Sequence, residues 1–328
     1  MERPKFAERT VGGINDQPLL IKEKSEIGYC KNCMDNKRLT YIDTAKFIGI
    51  LLVIVGHCGN QITLLGQVAY SFHMPLFFII SGMFIKEMQF TTGGQKYAKR
   101  LLIPYAITSF LTLIAFFVCA NYNCGNLNEI FSRWVVTTVF ATSAPDYGKE
   151  LFSNIEAAGP IWFLFALFWA NWIYSYLKIK CDRLMLLTIS LSLFVFSSLS
   201  LSVIKLPFSI QAGIGAVIFL FIGECVRNYN IIDRLNHFPL ILKVALFLTW
   251  FIPMYKGALV GMPVMLYTKG IISFICAVAG SIVLMNMSKI FTYFGGVWKV
   301  YLVITLCAFY SMELFLLFRK SVCRNYLW

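Results

Sequence analysis

Two histidines lie inside apolar stretches of this chain, His57 in FIGILLVIVGHCG and His73 in YSFHMPLFFIISG. An ionisable side chain at membrane depth is costly, so it faces a bundle interior or wet cavity and marks a functional path. Histidine near neutral pH accepts and returns a proton, the service an alcohol needs when it attacks a thioester. Against this stands a bland reading, in which His57 caps a carbonyl or lines a helix contact, and in which the His73 ring or a water satisfies the carbonyl freed by Pro75. His237 precedes Phe238 and Pro239 in a loop-like stretch and reads as interfacial.

The segment YIDTAKFIGILLVIVGH carries the most specific polar arrangement. Eleven residues make almost three turns of helix, so Lys46 and His57 share one face about 16 Å apart along the axis. Asp43, three residues before Lys46, is spaced for a local ion pair. The stripe suits a long anionic ligand whose phosphates meet Lys46 while its reactive end reaches His57.

These residues need helices to hold them, and composition says which kind. The 328-residue chain is 58% hydrophobic and only 14% charged, with a mean hydropathy of +0.70; a soluble domain is about a quarter charged. A spanning helix needs roughly 20 apolar residues. Such stretches are expected at 42–60, 68–86, 101–120, 160–177, 184–204, 208–226, 238–255, 270–288 and 298–318. Unbroken runs such as LLVIVG argue against a β-barrel, whose strands alternate. The expectation is an all-α, polytopic transmembrane helix bundle of about 9–10 spans. It divides into a polar cytoplasmic extension, residues 1–38, and a transmembrane domain, residues 39–328.

The first 40 residues show no signal-peptide core, so the N-terminus is expected in the cytoplasm. Basic residues agree. Lys31, Lys37, Arg38 and Lys46, then Lys86, Lys96, Lys99 and Arg100, then Lys178, Lys180 and Arg183 fall on one side. Glu129, Asp146, Glu150 and Glu156, against Arg133 and Lys149, suit the outer face. Nine spans would leave Arg319, Lys320 and Arg324 outside, so either a tenth helix lies near Ala258 to Tyr267 or one span is re-entrant. The net charge of +13 fits anionic lipid or a phosphorylated ligand. Nucleic acid is a poor partner, because the charges flank membrane segments.

Ten cysteines do not read as a disulfide framework. Cys58, Cys225, Cys276 and Cys307 lie in or at the ends of spans, and Cys30 and Cys33 are expected in a reducing cytosol. Their CxxC lacks the second pair a structural zinc site takes, so no metal is expected. Cys119 and Cys124 bracket an outer turn where a disulfide is chemically allowed.

YIDTAKFIGILLVIVGH, SFHMPLFFIISGMFIK, YAKRLLIPY and GPIWFLFALF, in that order and spacing, resemble acyltransferase family 3, integral-membrane acyltransferases of bacterial envelope and secreted glycans. The likeness runs from about Arg38 to Arg227 and is greatest to the compact group related to fucose acetyltransferases. It implies a bundle of about ten helices, an acyl-CoA donor (most often acetyl-CoA), no permanently bound cofactor and an acceptor hydroxyl on a glycan or lipid-linked sugar. It implies a multi-pass protein of the bacterial inner membrane, with the lipid bilayer as its surroundings. His57 would be the catalytic histidine, as base or acyl carrier, with His73 and Arg100 lining the site or donor entrance.

Lys46 stands where family members commonly carry arginine. The charge is kept, but the planar fork that binds phosphate bidentately is not. Lys46, Lys99 and Arg100 would together meet the donor's phosphates. Ser81 and Gly82 read either as a donor-facing hydroxyl with a close-approach glycine or as a helix-packing pair. Trp162 is expected near an interface. Glu224 is expected near the cytosolic end of its span, reaching interfacial water. The C-terminal part departs from the family pattern: Phe294, Gly295 and Gly296 form a turn-like stretch, but no histidine follows His237. The main alternative is a transporter or flippase of a lipid-linked glycan. Transporters commonly carry related halves, and no second copy of DxxK followed by GH is found.

Overall fold

The computed structural model describes residues 39–58, 63–122, 135–138, 141, 159–201 and 206–291. They are dominated by helices: α1 (Thr40–Cys58), α2 (Leu64–Met83), α3 (Phe90–Tyr97), a π-helical segment (Ala98–Leu102), α4 (Ile103–Tyr122), α5 (Trp162–Lys180), α6 (Arg183–Ser200), α7 (Ile210–Asn228), α8 (Ile231–His237), α9 (Leu240–Tyr255) and α10 (Ile271–Phe291). Among the described residues, five helices are long and apolar enough to cross a membrane, beginning at Leu64, Phe90, Arg183, Ile210 and Ile271. Two expected spans are helices of another character: α5 is rich in Trp and Tyr, and α9 is 16 residues long. α1 has 19 residues, with Asp43 and Lys46 confined to its first two turns. The ninth expected span, 298–318, lies outside the described residues, as does the 1–38 extension.

Around α2 and α7 the bundle is built. Both are largely buried, with Leu76, Phe78, Ile79, Phe219 and Leu220 fully enclosed. The reason is glycine: at Gly82 and Gly223 the two backbones approach so closely that a Cβ on Gly82 would strike Leu220 and one on Gly223 would strike Ile79. Membrane helices cohere by such packing, because lipid offers no hydrophobic drive between them. α5 and α6 pack on α7, and α10 packs on α2. α9 is tied to both α2 and α10. The Trp250 indole donates to Ser71 Oγ at 3.1 Å, and the Cys276 thiol donates to the Trp250 carbonyl at 3.3 Å. By contrast, α4 and α6 expose apolar faces, among them Ile107, Phe110, Leu111, Leu184, Val195 and Leu199.

The stretch Ala258 to Tyr267 is not a tenth helix. It forms a short hairpin in which Val260 pairs with Tyr267 and Gly261 with Leu266, antiparallel. Gly257 and Gly270, with φ of +81° and +57°, turn the chain in and out of it. Thr268 locks the base, its Oγ1 donating to the Gly257 carbonyl at 2.7 Å and accepting from the Leu259 amide at 2.8 Å.

Candidate active site

α1 meets α2 through two glycines seven residues apart, two helical turns on one face. A Cβ at Gly49 would lie 2.9 Å from Phe77 Cζ, and one at Gly56 would lie 3.3 Å from Tyr70 Cε2. Gly49 is thus level with Leu76 and Phe77, and Gly56 with Ala69 and Tyr70, so the helices run antiparallel. His57, the residue after Gly56, is the penultimate residue of α1. On α2 the spacing Ala69, His73, Leu76 is helical, which puts His73 in the middle of the stripe that faces α1. His57 is therefore carried at the end of α1 that lies level with Ala69 and Tyr70, and His73 follows about one turn farther along α2.

His73 is buried, 4% exposed. Its Nδ1 lies 2.5 Å from the Ala69 carbonyl, and its ring meets the Tyr70 ring edge-on with centroids 5.3 Å apart. A carbonyl oxygen only accepts, so Nδ1 carries the proton. In the neutral ring Nε2 is then the acceptor and the basic nitrogen. The Ala69 carbonyl, not the Ser71 carbonyl that Pro75 releases, takes this bond. Tyr70 serves both helices: its hydroxyl donates to the Gly56 carbonyl at 3.2 Å, fixing the turn of α1 that bears His57.

Lys46 stands at the other end of α1, eleven residues and about 16 Å from His57. It is exposed, and its Nζ lies 5.9 Å from the Phe84 ring centroid. The Arg227 guanidinium, from the last turn of α7, lies 5.2 Å from the same centroid. Lys99 and Arg100 are exposed on the π-helical segment, whose Leu101 packs with Tyr97 against Phe168 of α5. The structure thus groups Lys46 with Arg227 and sets Lys99 and Arg100 on another element.

Ser81 donates its hydroxyl to Asn171 Oδ1 at 2.7 Å, and Asn171 Nδ2 donates to the Leu167 carbonyl at 2.8 Å, so this pair joins α2 to α5. Glu224 is held by protein rather than by interfacial water alone. Its Oε2 accepts from the buried Tyr174 hydroxyl, and its Oε1 lies 3.2 Å from Lys178 Nζ. Trp162 is buried at the start of α5, and His237 is exposed at the end of α8. Cys181, Cys225 and Cys276 are free thiols, and among the described residues no group of side chains is arranged to hold a metal. The Cys30–Cys33 and Cys119–Cys124 pairs fall outside the described side chains.

Sequence reading passed over Tyr70, Phe84, Arg227 and Asn171. Tyr70 carried a signal, since it is three residues before His73 and therefore one turn away on a helix. The other three depend on contacts between distant helices.

Residues 39–319 match the family model of acyltransferase family 3, described as an acyltransferase domain. No curated protein and no solved structure gives a significant match.

Proposed function

The chain belongs to acyltransferase family 3 and is a multi-pass membrane acyltransferase, and from that premise we propose that it moves an acyl group, most often acetyl, from acyl-CoA to a hydroxyl of an envelope or secreted glycan or its lipid-linked precursor. The observation that carries the reading is the seam between α1 and α2. α1 carries His57 at one end and Lys46 about 16 Å away at the other, and His73 of α2 lies between these two levels. Phosphates of the donor bind at the Lys46 end, from the cytosol, and the thioester reaches the histidine end. The family match favours this over the transporter, which needs no base.

His57 takes the proton of the acceptor hydroxyl as its oxygen attacks the thioester carbon. A C–O bond forms, the C–S bond breaks, and the imidazolium returns the proton to the departing thiolate. In the covalent variant a His57 nitrogen attacks first, releases the thiol and passes the acyl group on. His73 backs the site with its basic nitrogen, and Ser81, Lys99 and Arg100 are donor-side contacts. His57 lies at the end of the helix pair opposite Lys46, which supports an acceptor reached from the outer face of a bacterial inner membrane. The test is thiol release from acetyl-CoA by the purified protein with an envelope-sugar extract, the product identified by mass spectrometry. An acylated sugar supports the reading; no product with acetyl-CoA or longer acyl-CoAs from intact protein overturns it.

A further inference from the structure

Phe84 is 46% exposed at the end of α2 and lies within 6 Å of two cations from two other helices, Lys46 of α1 and Arg227 of α7. The close crossing at Gly82 and Gly223 produces this. Leu220, Gly223 and Arg227 form one stripe of α7, so the turn after Gly223 delivers Arg227 to the residues just after Gly82. A mouth with a half-exposed aromatic ring and two converging cations is built for a phosphorylated ligand.

We propose that Arg227, with Phe84 and Lys46, binds the diphosphate of the coenzyme A donor. Arg227 supplies the planar, bidentate fork that Lys46 cannot. The proposal rests on the acyl-CoA reading above and names a residue of that site. Arg227 orients the donor through its phosphates and takes no part in the proton transfer at His57.

The test uses the full chain in nanodiscs, with coenzyme A binding followed by calorimetry and transfer followed separately. Arg227→Ala is expected to weaken coenzyme A binding, and to raise KM for acetyl-CoA, by about tenfold, the effect of losing a charge-assisted phosphate contact. The kcat should stay within about twofold. Arg227→Lys should recover only part of the affinity, and it serves in place of the alanine variant if that one fails to fold. S-acetyl-pantetheine, which lacks the diphosphate, should be used equally by wild type and both variants.

Unchanged coenzyme A affinity in Arg227→Ala and Arg227→Lys would overturn the proposal, as would equal losses with S-acetyl-pantetheine. If affinity is unchanged and Arg227 matters only in phosphatidylglycerol discs and not in phosphatidylcholine discs, the ligand is a lipid phosphate and the proposal fails. A wild-type chain that binds no coenzyme A and releases no thiol sinks the acyl-CoA reading itself. A wild type that binds it, with variants no different, sinks only the role of Arg227.

Discussion

Gly82 of α2 and Gly223 of α7 hold the centre of the bundle by touching: a Cβ on Gly223 would sit 3.1 Å from Gly82 Cα and closer still to the Ile79 carbonyl. Backbone cannot swing aside as a side-chain tip can, so Gly223→Ala forces the helices apart. The expected cost is about 1–3 kcal/mol, typical of overpacking. It should appear as a lowered thermal midpoint of the detergent-solubilised protein, and Arg227 should lose its place beside Phe84 at the same time. An unchanged midpoint would contradict the crossing.

Tyr70→Phe removes the hydroxyl from the Gly56 carbonyl while leaving a ring against His73. Hydrogen bonds between membrane helices average ~0.6 kcal/mol, so abundance should hardly change. Transfer should fall more than abundance, because the lost bond fixes the turn that carries His57. Rates per folded molecule, compared with wild type, check this.

His73→Asn separates the two nitrogens of the ring. The asparagine amide is placed to keep the donor to Ala69 and cannot supply a basic nitrogen where Nε2 stands. We expect His73→Asn to accumulate better than His73→Ala, yet to lose transfer to the same extent. Recovery of activity in the asparagine variant would reduce His73 to a structural donor.

Ser81 and Asn171 offer a cleaner test of the α2–α5 junction. A double-mutant cycle of Ser81→Ala with Asn171→Ala should give a coupling of about 0.6 kcal/mol, and no more than about 1.7. Zero coupling in unfolding titrations would mean that the bond does not hold the helices.

The helices were largely readable because apolar length is written in composition, and their ends were not. The second span, expected to begin at residue 68, begins at Leu64, since the Thr63 side chain caps it by accepting from the Gly66 amide at 3.2 Å. A hydropathy window does not register such a cap. The third, expected at 101–120, is approached through α3 and a π-helical segment that adds a residue to the helical register at Lys99 and Arg100. Near Ala258 to Tyr267 apolar composition suggested a helix, but Gly257, Gly261, Pro263 and Gly270 favour turns over a helix interior, and the chain forms a hairpin.

Within the candidate site, the Lys46 and His57 stripe was legible because it follows from one helix's period. Phe84 and Arg227 were not, because they meet only once Gly82 and Gly223 have brought α2 and α7 together. Glu224 lies near the end of α7, as its sequence position dictates, yet its partners Tyr174 and Lys178 come from α5, which no local pattern names.

The central claim is that His57 performs the chemistry, and transfer of labelled acetyl from acetyl-CoA in membranes matched for protein level tests it most directly. With an envelope-sugar extract as acceptor, wild type should label a sugar, and His57→Ala should do so at least ~10²-fold more slowly while accumulating normally. Equal labelling by the two proteins would contradict the account.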